Sequence, residues 1–419
     1  MYSKSILVCF NHVKAITMLT INKAKGTILA MIAALAILTG CNKEFPEAVS
    51  IVPPPNGTGP TIATILNDPS FSILKAAVTK ANLMTSFADS SLRFTLIAPD
   101  DAAFIASGLP LIAITNVLTV EQVTGLVSYM TLPQVLGSAN FPTTFPNLQY
   151  ASILNPAPSA SAFLRLTAFP SKRGSVAWVN NIPIIAADMV AANGVVLKVA
   201  RVVAPPTQFL WDRISTDTNL TYLRAAIIRA DSLETATGAI TLQNYLGDAA
   251  GKTSGIAFGP NFTLFAPSDL AFKQILTGLI TQALIAQGMP PATALATATF
   301  LASTPAVFSN PALYGALSAQ TVKGILVYHI LGSRAFSVNL PTTADSVKTL
   351  LNGAIPSHPG VTLQATFGPA GVTAATVKGK GNAAASNIAI NPTPAPVGTS
   401  DQHYINGVLH VIDQVLRPQ

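Results

Sequence analysis

A block of eleven residues occurs twice in this chain of 419. Phe94-Thr95-Leu96-Ile97-Ala98-Pro99-Asp100-Asp101-Ala102-Ala103-Phe104 returns as Phe262-Thr263-Leu264-Phe265-Ala266-Pro267-Ser268-Asp269-Leu270-Ala271-Phe272, and the copies differ only at Ile97/Phe265, Asp100/Ser268 and Ala102/Leu270. Such self-similarity constrains the fold more than composition does, because each copy must build the same supersecondary unit. Within the block, Phe-Thr-Leu reads as an alternating strand, and the proline, which has no N–H to donate, ends it. Asp101 or Asp269 is then placed to cap a following helix.

Two more blocks follow in the same order in each copy. Gly125-Leu126-Val127-Ser128-Tyr129-Met130 corresponds to Gly324-Ile325-Leu326-Val327-Tyr328-His329, where apolar residues at helical spacing lead to a Tyr whose hydroxyl needs a partner at the helix end. Asp188, five residues before Asn193-Gly194, corresponds to Asp401 before Asn406-Gly407. Asn-Gly signals a turn because both residues tolerate positive φ, and the β-branched run after it reads as a strand closing the domain. Each copy also opens with apolar residues three or four apart, Ile62, Ile65, Leu66, Ile73 and Leu74 in the first and Leu210, Ile214, Leu220, Leu223 and Ile227 in the second, which is the pattern of amphipathic helices. Pro205-Pro206-Thr207 is the whole linker, too short for free tumbling, so the copies are expected to keep a preferred orientation.

Taken together, the three blocks resemble the fasciclin domain, marked by a strand ending Thr-Leu-Phe-Ala-Pro-x-Asp-x-Ala-Phe, a helix ending Tyr-His, and a last strand Asn-Gly-Val-(Ile/Val)-His-Val-Ile-Asp. The resemblance spans residues 61–205 and 207–418. It implies an α+β fold of two tandem domains, each a wedge or sandwich of strands with helices packed on it, and a noncatalytic role in adhesion or ligand binding. In related adhesion proteins the Tyr-His pair belongs to a proposed receptor-contacting motif. That carries over to Tyr328 and His329 alone, because the first copy has Met130 in place of the His, and Leu197 where the second copy keeps His410. The same two residues suit a buried role, fixing the helix against the sheet, better than a direct contact.

The second copy departs from the first by about 31 extra residues within Leu276 to Gln320, since Phe94 to Tyr129 spans 35 positions and Phe262 to Tyr328 spans 66. This Ala-rich stretch, broken by Gly288-Met289-Pro290-Pro291, reads as two added helices with a kink, able to pack on the first domain or to offer a partner-binding face. A loop from Asn391 to Gln402, carrying Pro392, Pro394 and Pro396, is expected to be exposed.

Residues 1–40 read as a signal peptide. Lys23 and Lys25 precede an apolar run from Thr27 to Leu38, too short to span a membrane, and Leu38-Thr39-Gly40-Cys41 resembles the lipobox of bacterial lipoproteins, which implies cleavage before Cys41 and its acylation. Met18 fits the start of such a signal as well as Met1 does. Asn42-Lys43-Glu44 resembles a surface-export signal of some Gram-negative lipoproteins. Residues 41–60 end in Pro- and Gly-rich sequence that serves as a tether. The resemblance thus implies a cell-envelope location, as an outer-membrane lipoprotein, with a surface-exposed and a periplasmic face both left open.

Charge and chemistry narrow the function classes. Four of the 24 Lys and Arg lie in the acid-free first 40 residues, leaving 20 against 17 Asp and Glu, a balance of +3 that is no nucleic-acid footprint. Cys9 and Cys41 are the only cysteines, so the body has no disulfide. His329, His358, His403 and His410 show no zinc spacing, and His403 and His410, seven apart, suit separate environments better than a shared metal. Gly247 to Thr253 is a residue short of a phosphate-binding loop and leads into Gly- and Pro-containing sequence that opens no helix. No catalytic residue, metal or cofactor is therefore expected. The partners expected are a membrane, through the lipid, and a protein or polysaccharide; the alternative is an accessory subunit of an outer-membrane complex with no ligand of its own. Mass analysis of the mature protein should find its N-terminus at acylated Cys41, and Cys41→Ser should move it from the detergent to the aqueous phase; an unmodified Cys41 would remove the anchor.

Overall fold

The structure, a computed structural model, describes residues 58–143, 145–159, 161–233, 241–247, 261–368, 371–391 and 398–419. Cys41, the signal segment, most of the tether, residues 248–253 of the phosphate-loop-like stretch and the prolines of 392–397 lie outside the described residues.

The first copy opens with helices α1 (Ile62–Ile65), α2 (Ser72–Lys80) and α3 (Met84–Ala88), then strand β1 (Phe94–Pro99) and helix α4 (Asp101–Ala106). Helix α5 (Val120–Tyr129) leads to β2 (Thr131–Leu132), β3 (Tyr150–Ala151) and β4 (Thr167–Ala168), and the copy closes with β5 (Pro170–Arg173), β6 (Val176–Val179), β7 (Ile182–Ala191) and β8 (Gly194–Val199). The second repeats this plan: helices α6 (Leu210–Thr216), α7 (Thr221–Asp231) and α8 (Leu242–Leu246), then β9 (Phe262–Pro267) and α9 (Asp269–Ala286). After α10 (Pro291–Leu301) and α11 (Ala319–Tyr328) come β10 (Ile330–Leu331), β11 (Asp345–Val347), β12 (Val361–Gly368), β13 (Gly371–Lys378), β14 (Ser386–Ile388), β15 (Gln402–Tyr404) and β16 (Gly407–Ile412). The sheets run β2-β1-β8-β7-β6-β5 and β10-β9-β16-β14-β13-β12-β11, with β15 on β16. Helices and sheets together make an α+β fold in each copy.

The first repeated block and the last one meet. Strand β1 pairs in parallel with β8 from Phe94↔Gly194 to Pro99↔Val199, and β9 pairs with β16 from Phe262↔Gly407 to Ile412↔Pro267. Flanked on both edges, these strands are buried on both faces, so the alternation expected of Phe-Thr-Leu gives way to Leu96, Ile97 and Ala98 all fully buried. The glycine after each Asn is required by this close approach: a Cβ on Gly194, where φ is +152°, would stand 1.9 Å from the Phe94 carbonyl oxygen, and one on Gly407 2.7 Å from that of Phe262.

The Asn beside it does other work than the expected turn geometry. Neither Asn193 nor Asn406 takes positive φ; the left-handed residues are Asp188 (59°) and Asp401 (54°), five positions earlier. Asn193 Oδ1 accepts from Ile62 N (2.9 Å) and its Nδ2 donates to the Phe87 carbonyl (2.8 Å), tying the closing hairpin to the opening helices. Asn406 repeats this with Leu210 N (3.0 Å) and the Leu246 carbonyl (3.0 Å). The capping expectation shifts by one residue. Asp100 and Ser268 cap the following helices, accepting from Ala103 N and Ala271 N, whereas Asp101 and Asp269 reach across to earlier helices, binding Ser72 and Ile73 N, and Thr221 and Tyr222 N.

The added residues lengthen the six-residue helix of the first copy to eighteen in α9, which stops at Gln287-Gly288 and folds back through α10, started by Pro290-Pro291. Leu276, Ile280, Ala298 and Phe308 join the core of their own copy, so the insert packs on helix α7 of the second copy rather than on the first domain. Among the described residues no helix is long and apolar enough to cross a membrane. Removing the clasp of the second copy with Asn406→Ala leaves a buried N–H and a buried carbonyl without partners, and should lower the unfolding free energy by about 3 kcal/mol in urea titrations. A loss below about 1 kcal/mol would mean that other groups take over both bonds.

Candidate functional site

Tyr328 and His329 end helix α11, and both are fully buried. The Tyr328 hydroxyl donates to the Gly360 carbonyl (2.6 Å) and accepts from Lys380 N (2.9 Å), which joins the helix end to β12 and to the turn after β13. His329 pairs through Nδ1 with the Ile325 carbonyl (2.8 Å), and its Nε2 accepts from Leu416 N (2.8 Å). That assignment fixes the tautomer as Nδ1–H. Neither side chain offers surface to a ligand; they hold the helix and the C-terminal segment on the sheet. His410 is likewise buried, with Nε2 on the Ala335 carbonyl (2.8 Å), far from sharing a metal with His403.

In the first copy the matching Tyr129 donates to the Thr167 carbonyl (2.9 Å), and the amide of Asn180 approaches it at 3.4 Å. Asn180 also reaches His403 Nδ1 of the second copy (3.4 Å). This opens the seam between the copies, a set of contacts that centres on Arg334 and His403. The Arg334 guanidinium lies 4.7 Å from the Phe169 ring and donates to the carbonyls of Tyr404 (3.0 Å) and Ile405 (3.1 Å). The His403 ring stands edge-on to Phe169 (6.0 Å) and Phe336 (5.5 Å). Asn147 donates its N–H to the Arg334 carbonyl (3.1 Å) and accepts from Phe336 N (2.9 Å), and Arg173 donates to the Leu340 carbonyl (2.7 Å) while covering Phe367 at 4.1 Å. Phe169 and Trp178 of the first copy, with Phe336, Val338 and Val408 of the second, form one apolar cluster. The short linker's preferred orientation is therefore a packed contact.

Burial governs the seam's electrostatics. It pushes the Tyr129 phenol up to about 12 and the Arg334 guanidinium down to about 10, and burial together with the adjacent Arg334 holds His403 well below the usual imidazole range. At neutral pH Arg334 keeps its positive charge and the buried His403 beside it is neutral. Beside the linker the seam leaves a cavity of about 540 Å³, lined among others by Asn180, Arg201, Arg213, Asp401 and His403. Asp401 is already engaged by the backbone N–H (2.6 Å) and hydroxyl (2.5 Å) of Ser337. Among the described residues no three His, Cys, Asp or Glu side chains converge as metal ligands.

Sequence reading did not find the seam. Its one available signal was Arg334, a lone charge between Gly332-Ser333 and Ala335-Phe336 in a chain only 10% charged; His403 was weighed only as a metal ligand. Against known proteins, the family model described as the fasciclin domain matches residues 69–205 and 230–418. Among solved structures, the FAS1 domain pair from the insect cell adhesion molecule Fasciclin I aligns with a TM-score of 0.31 and 13% identity, over 84% of this chain and 94% of that one. No curated protein matches.

His329 gives this region a defined acid sensitivity. Burial lowers its pKa from 6.5 to about 4, so the folded state keeps the ring neutral while the unfolded chain takes up a proton below 6.5. The stability it contributes is complete above 6.5 and is lost as pH falls toward 4, by about 3 kcal/mol. His329→Met, the residue of the first copy, should be less stable than the parent at pH 7, and the gap in urea midpoints should close toward pH 4; a gap independent of pH would contradict the buried neutral ring.

Proposed function

Since the chain belongs to the fasciclin domain family, whose model spans both copies, we propose that it is a cell-envelope lipoprotein, anchored through Cys41 and exposed at the outer membrane, that mediates adhesion or ligand binding. Fasciclin domains are in general adhesion and binding modules. The observation that carries this reading is the seam. Two domains joined by Arg334, Phe169 and His403 present their surfaces in a fixed relation, which lowers the entropy lost when one extended partner touches both. A surface with few charges suits a protein or polysaccharide partner, and the small charge excess after the leader argues against nucleic acid.

A second reading, an accessory subunit of an outer-membrane complex, draws on the first copy, where Ile105, Leu111, Ile112, Val117 and Val120 are all exposed within one short stretch. Protease treatment of intact cells separates the two. Under the adhesion reading the body is cut from living cells, and the purified protein binds at least one of a set of surface polysaccharides and matrix proteins, with Phe169→Ala weakening that binding about tenfold or more by loosening the seam. A protected body that copurifies with a membrane protein and binds none of the set would shift the assignment to the accessory subunit.

A further inference from the structure

The insert of the second copy does more than lengthen a helix. With α11 and the C-terminal segment it walls a cavity of about 580 Å³ that shares no lining residue with the cavity beside the linker. Its size falls in the range of small-molecule sites, and most of its wall is apolar. Ile275, Leu276 and Leu279 on α9, Ile325 on α11, and Leu351 and Ile355 on the segment between β11 and β12 supply that wall. Leu279 and Ile355 keep 39% and 46% exposure, so the cavity opens to solvent along their side.

The polar groups of the wall divide into engaged and free ones. His358 uses both ring nitrogens, accepting from Gly360 N (3.0 Å) and pairing with the Pro418 carbonyl (2.8 Å), and its ring is braced edge-on against Tyr328 at 5.1 Å. Arg417 differs: its backbone N–H donates to Asn382 (2.7 Å), but its guanidinium has no hydrogen bond or ion pair among the described residues. It is the one charged side chain in the lining. A lone guanidinium beside an apolar cavity is matched by a ligand that brings an acidic oxygen pair on an apolar body.

We propose that this cavity binds an amphipathic carboxylate of the fatty-acid class, its acyl chain along α9 and α11 and its carboxylate on Arg417. The chemistry commits to a single acyl chain rather than a sugar, since the wall is mostly aliphatic, with Phe272 and Phe308 beside the Leu and Ile side chains, and carries few groups to direct hydroxyls. The site lies wholly in the second copy, so it stands or falls independently of the adhesion reading.

The test is a fluorescence titration of the purified full chain with cis-parinaric acid. Saturable binding at one site per chain is expected. Leu279→Trp and Ile355→Trp, both at partly exposed positions, should fill the cavity and weaken binding at least tenfold, while Leu295→Trp, exposed on α10 outside the lining, should leave it unchanged. Arg417→Gln should weaken the carboxylate probe about tenfold and leave the matching fatty alcohol unaffected. Circular dichroism of each variant reports whether it folds. Absence of saturable binding, or binding that folded Leu279→Trp and Ile355→Trp retain, overturns the site; equal loss of acid and alcohol on Arg417→Gln overturns the role given to the guanidinium.

Discussion

Each copy depends on a parallel strand pair whose members lie about 100 residues apart in the first domain and about 145 in the second. A parallel pair cannot be closed by a turn; it needs a long crossover, and the entropy of closing that loop opposes it. The Asn of the closing hairpin answers this cost. Its carboxamide accepts from the first helix of the copy and donates to a carbonyl before the central strand, so one side chain holds the hairpin, the opening helix and the start of the central strand together. The Gly that follows lets the strands approach, and Thr95 or Thr263 in the central strand binds the chain again just after the short edge strand, at Gln134 and Leu136 or at Ser333 and Ala335. These positions recur because each satisfies a backbone group that burial would otherwise leave unpaired.

That account explains what could be read from the sequence. The repeated blocks mark the central strand, the helix end and the closing hairpin, and they are similar because their hydrogen bonds are made inside each copy. The opening helices were legible for another reason, their apolar spacing. What misled was assigning local roles to residues with distant partners: Asp101 and Asp269 sit at a helix start yet bind other helices, and Asn193 and Asn406 sit in a turn yet serve the chain's opening segment. The seam was illegible for the converse reason. Phe169 and Asn147 of the first copy meet Arg334, Phe336 and His403 of the second in contacts made between the copies, so no comparison of one copy with the other could single them out.

The seam also shows why a low-charge protein keeps a buried arginine. Removing a guanidinium from water is costly unless its donors are met. Two backbone carbonyls take one N–H each from Nη1 and Nη2 and the Phe169 ring covers the guanidinium, while the buried Nε has no hydrogen-bond partner among the described residues; the carbonyls belong to residues 404 and 405 in the hairpin that the Asn406 clasp fixes. The charge is thus held by backbone that is already rigid, and it then organises side chains from the other copy. A neutral His403 beside it avoids a second buried cation.

The equivalent tyrosines show how one scaffold came to serve two surroundings. Tyr129 and Tyr328 both end a helix and both donate to a carbonyl of the adjoining sheet region, a duty set by the fold. The bond the hydroxyl oxygen accepts is where they part. Tyr129 faces Asn180 and, past it, His403, so it forms the floor of the seam. Tyr328 takes the backbone N–H of Lys380 and braces His358, one wall of the cavity under the insert. An exposed contact role for the Tyr-His pair would require this helix end to detach from the sheet, breaking three hydrogen bonds made by buried groups. At about 1 kcal/mol or more each, that penalty exceeds what a small surface contact returns. The pair therefore serves to hold the helix end and the C-terminal segment on the sheet.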